Sequence, residues 1–123
     1  MIKLIIAGGR DFSDYQLLQL ETQRFLVEQN FNPSQLTIIS GKAQGADSLG
    51  EQFARKYHFQ VEEFPADWNT YGKRAGYLRN EVMAHNADAL IAIWDGYSKG
   101  TKHMIDLAKK YNLKIYVYLA NEI

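Results

Sequence analysis

The chain has 123 residues, 46% hydrophobic and 23% charged, with 14 lysines and arginines against 14 aspartates and glutamates. That length supports one hydrophobic core and a single domain over 1–123, and the composition is that of an ordinary globular chain rather than a disordered one. Charge balance argues against a positive field for duplex DNA, and the absence of cysteine excludes disulfides, thiolate metal sites and a cysteine nucleophile.

Leu4 to Ala7 is a short, continuous apolar run, the pattern of a parallel strand covered on both faces. It stops at Gly8-Gly9, which turn the backbone without Cβ atoms and deliver Arg10 and Asp11. Ser13 and Gln16 have the spacing of a capping box. Leu18, Phe25 and Leu26, with Leu17 and Leu20 alongside, predict a helix from Tyr15 to Gln29, closed by Asn30 and Pro33. Leu36 to Ile39 predicts a second strand, released into Ser40-Gly41-Lys42-Ala43-Gln44-Gly45-Ala46-Asp47. Leu49, Phe53 and Tyr57 mark the next helix, and Gln60 to Phe64 reads as a third strand stopped by Pro65. Ala66 to Lys73 reads as irregular and carries Trp68 and Tyr71. A helix from about Arg74 to Asn86 follows, with Leu78, Val82 and Met83 expected on its buried face.

Ala89 to Trp94 is the most apolar strand and is expected at the centre of the sheet. Asp95 to Thr101 leaves it, Met104, Ile105, Ala108 and Tyr111 stripe a last helix, and Lys114 to Leu119 is the final strand. The first strand starts next to Met1 and no apolar run reaches membrane-spanning length, so a cytoplasmic protein without a leader or a membrane partner is expected.

Five strands alternating with four helices predict βαβ units in a Rossmann-like, three-layer α/β domain with parallel sheet order 3-2-1-4-5. Strands one and four are then neighbours, and their carboxyl ends form the switch point where open α/β sheets bind ligands. Gly8, Gly9 and Arg10 would face Asp95 and Gly96 there.

The known phosphate fingerprints are missing. Leu36 stands where a Walker A loop needs its first glycine and Ala43 where it needs serine or threonine, and no G-x-G-x-x-G follows the first strand. No serine sits on a G-x-S-x-G elbow, and His58, His85 and His103 fall in different elements, so neither a hydrolase triad nor a metal site nor a cofactor is expected. What the loops share is glycine with a hydroxyl or charge at a helix start, where unpaired N–H groups suit phosphate. Ser98-Lys99-Gly100-Thr101 has this character most strongly, although a capped helix with a solvated lysine has the same sequence. Trp68 and Tyr71 either pack over the sheet edge or stack on a ligand.

Five co-linear motifs then carry a resemblance. Ile-Ala-Gly-Gly-Arg-Asp-Phe, Ser-Gly-Lys-Ala-Gln-Gly-Ala-Asp, Phe-Pro-Ala-Asp-Trp, Ala-Gly-Tyr-Leu-Arg-Asn and Trp-Asp-Gly-Tyr-Ser-Lys-Gly-Thr-Lys-His-Met-Ile together resemble the small YspA-like (cpYpsA-related) proteins of the SLOG superfamily. That superfamily also includes the lonely-guy phosphoribohydrolases and the DprA DNA-processing proteins. The resemblance implies a nucleotide or nucleotide-derived small molecule at the switch point. Backbone amides of Gly8, Gly9, Gly41, Gly100 and Thr101 would meet phosphates and Arg79 would be the charge partner, with Asp95 on a ribose hydroxyl and Trp68 or Tyr71 stacking. Arg10, Ser40, Gly45, Asp47, Asn80 and Ser98 complete the expected ligand-binding set.

In the phosphoribohydrolases, an R-K-x-x-M-type helix supplies an arginine, and a glutamate lies three residues after the threonine of a P-G-G-x-G-T loop. Arg79-Asn80-Glu81-Val82-Met83 resembles the first and Gly100-Thr101 the second, but Met104 stands at the glutamate position. Methionine cannot stabilise an oxocarbenium ion or activate water. The expectation is therefore a domain that senses or sequesters its ligand. The alternatives are an N-glycosidic hydrolase of nucleoside monophosphates using Arg79 with Glu81 or Asp95, and single-stranded nucleic-acid binding along Lys73, Arg74 and Arg79, which neutral net charge argues against. A second copy of the chain is a further candidate partner, because so short a chain carries many aromatic residues.

Overall fold

The computed structural model, which describes residues 1–42 and 45–120, is built outward from β1 (Ile2–Gly8). Leu4 and Ile6 of β1 join an apolar cluster with Leu18, Phe25 and Phe53, whereas Ile5 and Ala7 join Met83, Met104 and Ile105 on the opposite face. A strand segment covered on both sides has no polar face to show, which is why Leu4 to Ala7 is unbroken by polar residues. β2 (Leu36–Ser40), β3 (Gln60–Glu63), β4 (Ala89–Trp94) and β5 (Lys114–Leu119) complete a parallel sheet in the order β3-β2-β1-β4-β5. Ile6 and Ile91 are partners at its centre, 1% and 0% exposed. α1 (Tyr15–Glu28) and α2 (Ala46–Tyr57) cover one face, and α4 (Ala75–Asn86) and α5 (Lys99–Lys110) the other. The Rossmann-like architecture and strand order are those expected from the sequence.

Three local expectations are corrected. Asp14, not Ser13, caps α1, its carboxylate accepting the Leu17 N–H at 3.1 Å; an ionised oxygen is the stronger acceptor at that position. Residues 66–73 are ordered by their own cap: Asp67 accepts the Thr70 N–H at 3.1 Å and starts α3 (Trp68–Tyr71), and a 3-10 turn over Gly72–Arg74 leads into α4. Leu78 and Val82 are 42% and 48% exposed, on the outer side of α4. The buried residues of α4 are Ala75, Asn80, Met83 and Ala84. Small side chains let that helix lie close to its neighbours, so hydrophobicity alone marks the wrong face. Among the described residues no helix is long and apolar enough to cross a membrane.

Candidate functional site

β1 and β4 are adjacent, but the chain leaves β1 toward α1 on one face and β4 toward α5 on the other. That divergence opens a crevice at their carboxyl ends. The open cleft there has a volume of about 1790 Å3, larger than the ~300–1,000 Å3 of ordinary small-molecule pockets, so a whole nucleotide has room. Gly8 pairs with Ile93 beneath it, and a Cβ on Gly9 would point at Asp95 Oδ2 from 4.0 Å.

Arg79 is the central cation. Its Nη1 donates to the Gly41 carbonyl and its Nε donates to Asn80 Oδ1 at 2.9 Å. A Cβ on Gly41 would stand 2.7 Å from that Nη1 and 2.9 Å from Asp47 Oδ2, so a side chain there would push both charged groups out of their present positions. Burial pulls the Arg79 pKa below its ordinary value; the charge of Asp47 opposes this and the charge of Arg10 adds to it. Two guanidinium groups thus repel each other inside one cleft, and an anion placed between them would relieve both.

The first turn of α5 forms the facing wall. Asp95 Oδ1 accepts N–H bonds from Tyr97 and Ser98, each 2.7 Å, and these hold its carboxyl below the usual range. The Ser98 carbonyl accepts from the Trp94 indole N–H at 3.1 Å, which fixes the loop from below. Ser98 is the N-cap yet makes no side-chain capping bond; its Oγ lies 3.2 Å from Thr101 Oγ1. Nothing lies within 4 Å of where a Gly100 Cβ would stand. An uncapped first turn with a glycine in it lets an anion approach the amides closely.

Twelve of the sequence-predicted ligand residues line the cleft: Gly8, Gly9, Arg10, Gly41, Asp47, Trp68, Arg79, Asn80, Asp95, Ser98, Gly100 and Thr101. Four predicted residues do not. Ser40 is buried in β2 and donates to Glu51. Gly45 backs the first loop instead: its φ is +77°, and a Cβ there would fall 2.1 Å from the Gly9 carbonyl oxygen. Tyr71 sits outside the lining on α3. Glu81 accepts from the Tyr111 hydroxyl and pairs with Lys110 at 3.7 Å, away from the cleft. Residues two apart on a helix do not share a face, so Glu81 cannot follow Arg79 inward. Ala43 and Gln44 of the second glycine loop lie outside the described residues.

Sequence reasoning missed Phe12, Lys42, Tyr77 and Tyr118, all in the lining. Tyr118 was accessible to it, because the end of β5 shares the sheet edge with the ends of β1 and β4. Lys42 was not. It has φ +59° and is clamped by Glu51 at 3.0 Å and Glu63 at 3.2 Å, an arrangement only the folded loop reveals. Met104 also borders the cleft; it is 2% exposed and belongs to the apolar cluster of Ile5, Ala7 and Met83. Among the described residues no group of three or more His, Asp or Glu side chains is arranged to hold a metal ion.

The fold is that of a Rossmann-like domain with a glycine-lined cleft at the switch point of its sheet. The chain belongs to the YspA, cpYpsA-related SLOG family (YAcAr), whose model matches residues 2–71. It is 32% identical over 121 residues to the Gene 61 protein of Mycobacterium phage D29, covering 94% of each chain. Among solved structures it is similar to DNA processing protein A (DprA) from Streptococcus pneumoniae, with a TM-score of 0.73 at 16% identity. That match covers 95% of this chain but only 50% of the DprA chain. TM1055, a structural-genomics target, is similar over 94% of this chain and 72% of its own, with a TM-score of 0.65 and 21% identity. DprA from Helicobacter pylori, described in a single-stranded DNA binding mode, matches with a TM-score of 0.65 at 19% identity, over 94% of this chain and 64% of its own. At these identities the three structures speak to the fold.

Proposed function

We propose that this protein is a cytoplasmic domain that binds a nucleotide or nucleotide-derived small molecule in the switch-point cleft, sensing or sequestering it. One observation carries the reading: Arg79, half-buried in the cleft wall, is under the charge of Arg10 and faces an α5 first turn without a side-chain cap. The phosphate would take the Arg79 guanidinium on one side and the amides of Gly100 and Thr101 on the other. Asp95 Oδ2 is then the acceptor for a ribose hydroxyl, Oδ1 being held by Tyr97 and Ser98. Trp68, about half exposed, lies against Gly76 beside Arg79 and offers its indole to a base.

The experiment is titration calorimetry with a panel of nucleoside mono- and diphosphates against wild type and Gly100→Asp. A carboxylate at residue 100 would occupy the phosphate's approach, and a loss of at least roughly tenfold in affinity is expected. Saturating ligand at about 100 times Kd should stabilise the wild type by about 2.7 kcal/mol. Unchanged affinity in Gly100→Asp overturns the assignment. Chromatography of the same mixtures separates the alternatives, because release of free base would make the protein a hydrolase. Strongly salt-dependent retention of an oligonucleotide would favour the single-strand reading.

A further inference from the structure

We propose that Asn80 and His103 are positioning residues that hold the Arg79 guanidinium in register with the first turn of α5, and that His103 does so only as a neutral imidazole. The proposal rests on reading the cleft as an anion site, but its first test needs no ligand.

Asn80 is 8% exposed, and its neighbours dictate which way its amide points. The Arg79 Nε–H can only donate, so the atom it meets at 2.9 Å is Oδ1. Nδ2 therefore faces the other way, donating toward the Gly100 carbonyl at 3.5 Å and meeting His103 Nδ1 at 3.3 Å. An amide NH2 has nothing to accept with, so His103 Nδ1 must offer a lone pair and the ring proton must reside on Nε2. The imidazole is held in place by Tyr77, edge to face at 4.8 Å and 83°. One buried side chain thus links the cleft's cation on α4 to the turn of α5 across the site.

Protonation of Nδ1 sets N–H against N–H. Asn80 cannot respond by turning over, because that would press Oδ1 on the Gly100 carbonyl and point an NH2 at the Arg79 Nε–H. The imidazolium must part from Asn80, and the tie between α4 and α5 loosens. The groups facing His103 are Tyr77 and Glu81 from α4 and Asp106 from its own helix, with Glu81 itself engaged by Tyr111 and Lys110. Burial draws the His103 pKa below its ordinary value, and Glu81 and Asp106 offset this only in part. The link is therefore intact at neutral pH and lost on acidification.

Nitrogen-15 NMR of the ligand-free protein is the first test. The His103 ring should appear as the Nε2–H tautomer, and the Arg79 Nε–H resonance should shift with the same midpoint as the ring. In His103→Gln, whose amide oxygen can still accept from Asn80, the Arg79 resonance should keep its position and stop responding between about pH 5 and 8. In Asn80→Ala the His103 midpoint should rise. An Nδ1–H tautomer, or an Arg79 resonance indifferent to the His103 titration, overturns the proposal.

The second test uses adenosine monophosphate as probe and compares wild type with His103→Gln, so that the titration of the phosphate cancels. The ratio of wild-type to variant affinity should fall roughly tenfold between about pH 7.5 and 5.5. A constant ratio overturns the positioning role and leaves the anion site standing. Absence of binding at every pH, with the NMR link intact, instead overturns the anion reading for this probe.

Discussion

Arg79→Met separates the two demands made on that side chain. Methionine keeps much of the buried stem and removes the guanidinium. Without ligand the positive charge is held at a net loss, since burial and Arg10 together outweigh Asp47 and lower the Arg79 pKa. Its removal relieves that loss but leaves the Gly41 carbonyl and Asn80 Oδ1 without their donor. An acceptor stranded in the interior costs about 1–3 kcal/mol; here the cleft is open and water can reach it, so the lower end applies. The two effects oppose, and the ligand-free protein should change in stability by less than about 1.5 kcal/mol, a melting shift within roughly 6 °C for a chain of this size. Binding has no such compensation. Loss of a charge-assisted bond to phosphate, worth about 1.5–3 kcal/mol, should weaken adenosine monophosphate binding by roughly 10- to 150-fold. Scanning calorimetry gives the first quantity and titration calorimetry the second. A melting point lowered by more than roughly 10 °C with unchanged affinity would refute the reasoning and make Arg79 a structural strut.

The glycines of the two loops should differ sharply. Gly45→Ala, with φ at +77° and a Cβ 2.1 Å from the Gly9 carbonyl oxygen, should cost about 2–3 kcal/mol in urea unfolding, whereas Gly9→Ala, with only Asp95 at 4.0 Å, should stay within about 0.5 kcal/mol; equal midpoints would contradict the packing of loop on loop. Met104→Glu should lose about 1–3 kcal/mol, because its carboxylate enters an apolar cluster at the floor of the cleft, and a fully stable variant would show that water in the cleft reaches it. On acidification a carboxyl-linked loss of stability should begin below about pH 4.5, separate from the His103 step. Burial alone would raise the Glu51 carboxyl, but Ser40 and Lys42 outweigh it and hold it low, as backbone N–H groups hold Asp95. Groups whose folded pKa is depressed lend stability above their unfolded range and lose it as pH falls, so Glu51→Gln should flatten this part of the melting-temperature profile.

What could be read from the chain was the part written in periodicity. The unbroken run in β1 announced two covered faces, and alternation of strands with helices placed Ile6 beside Ile91 and Gly9 opposite Asp95. The inner face of α4 was only partly legible: Met83 is buried as expected, but the rest of that face is two alanines and one asparagine, while Leu78 and Val82 look like core and are not. Ser40 and Gly41 illustrate a second limit. Adjacent residues at a strand end face opposite ways, so the serine hydroxyl turns to Glu51 while the glycine meets Arg79. Glycine itself was ambiguous: Gly9 and Gly100 leave open space, Gly41 makes way for a guanidinium and Gly45 for a neighbouring carbonyl, and only the folded loops tell these uses apart.

The central place of β1 bears on how the chain must be made. Its first neighbour, β2, follows it directly, but its second arrives late: the bond from the Lys3 N–H to the Asp88 carboxylate spans 85 residues. A nascent chain that has reached residue 71 carries β1, β2, β3, α1 and α2. The edge of β1 that awaits β4, and the Ile5 and Ala7 face that awaits α4 and α5, are both still bare. An unpaired strand edge beside an apolar face is a template for association with other chains. A fragment ending before Ala89 would therefore hold three of the five strands and still be prone to aggregate, since it is the last third of the chain that seals the first strand.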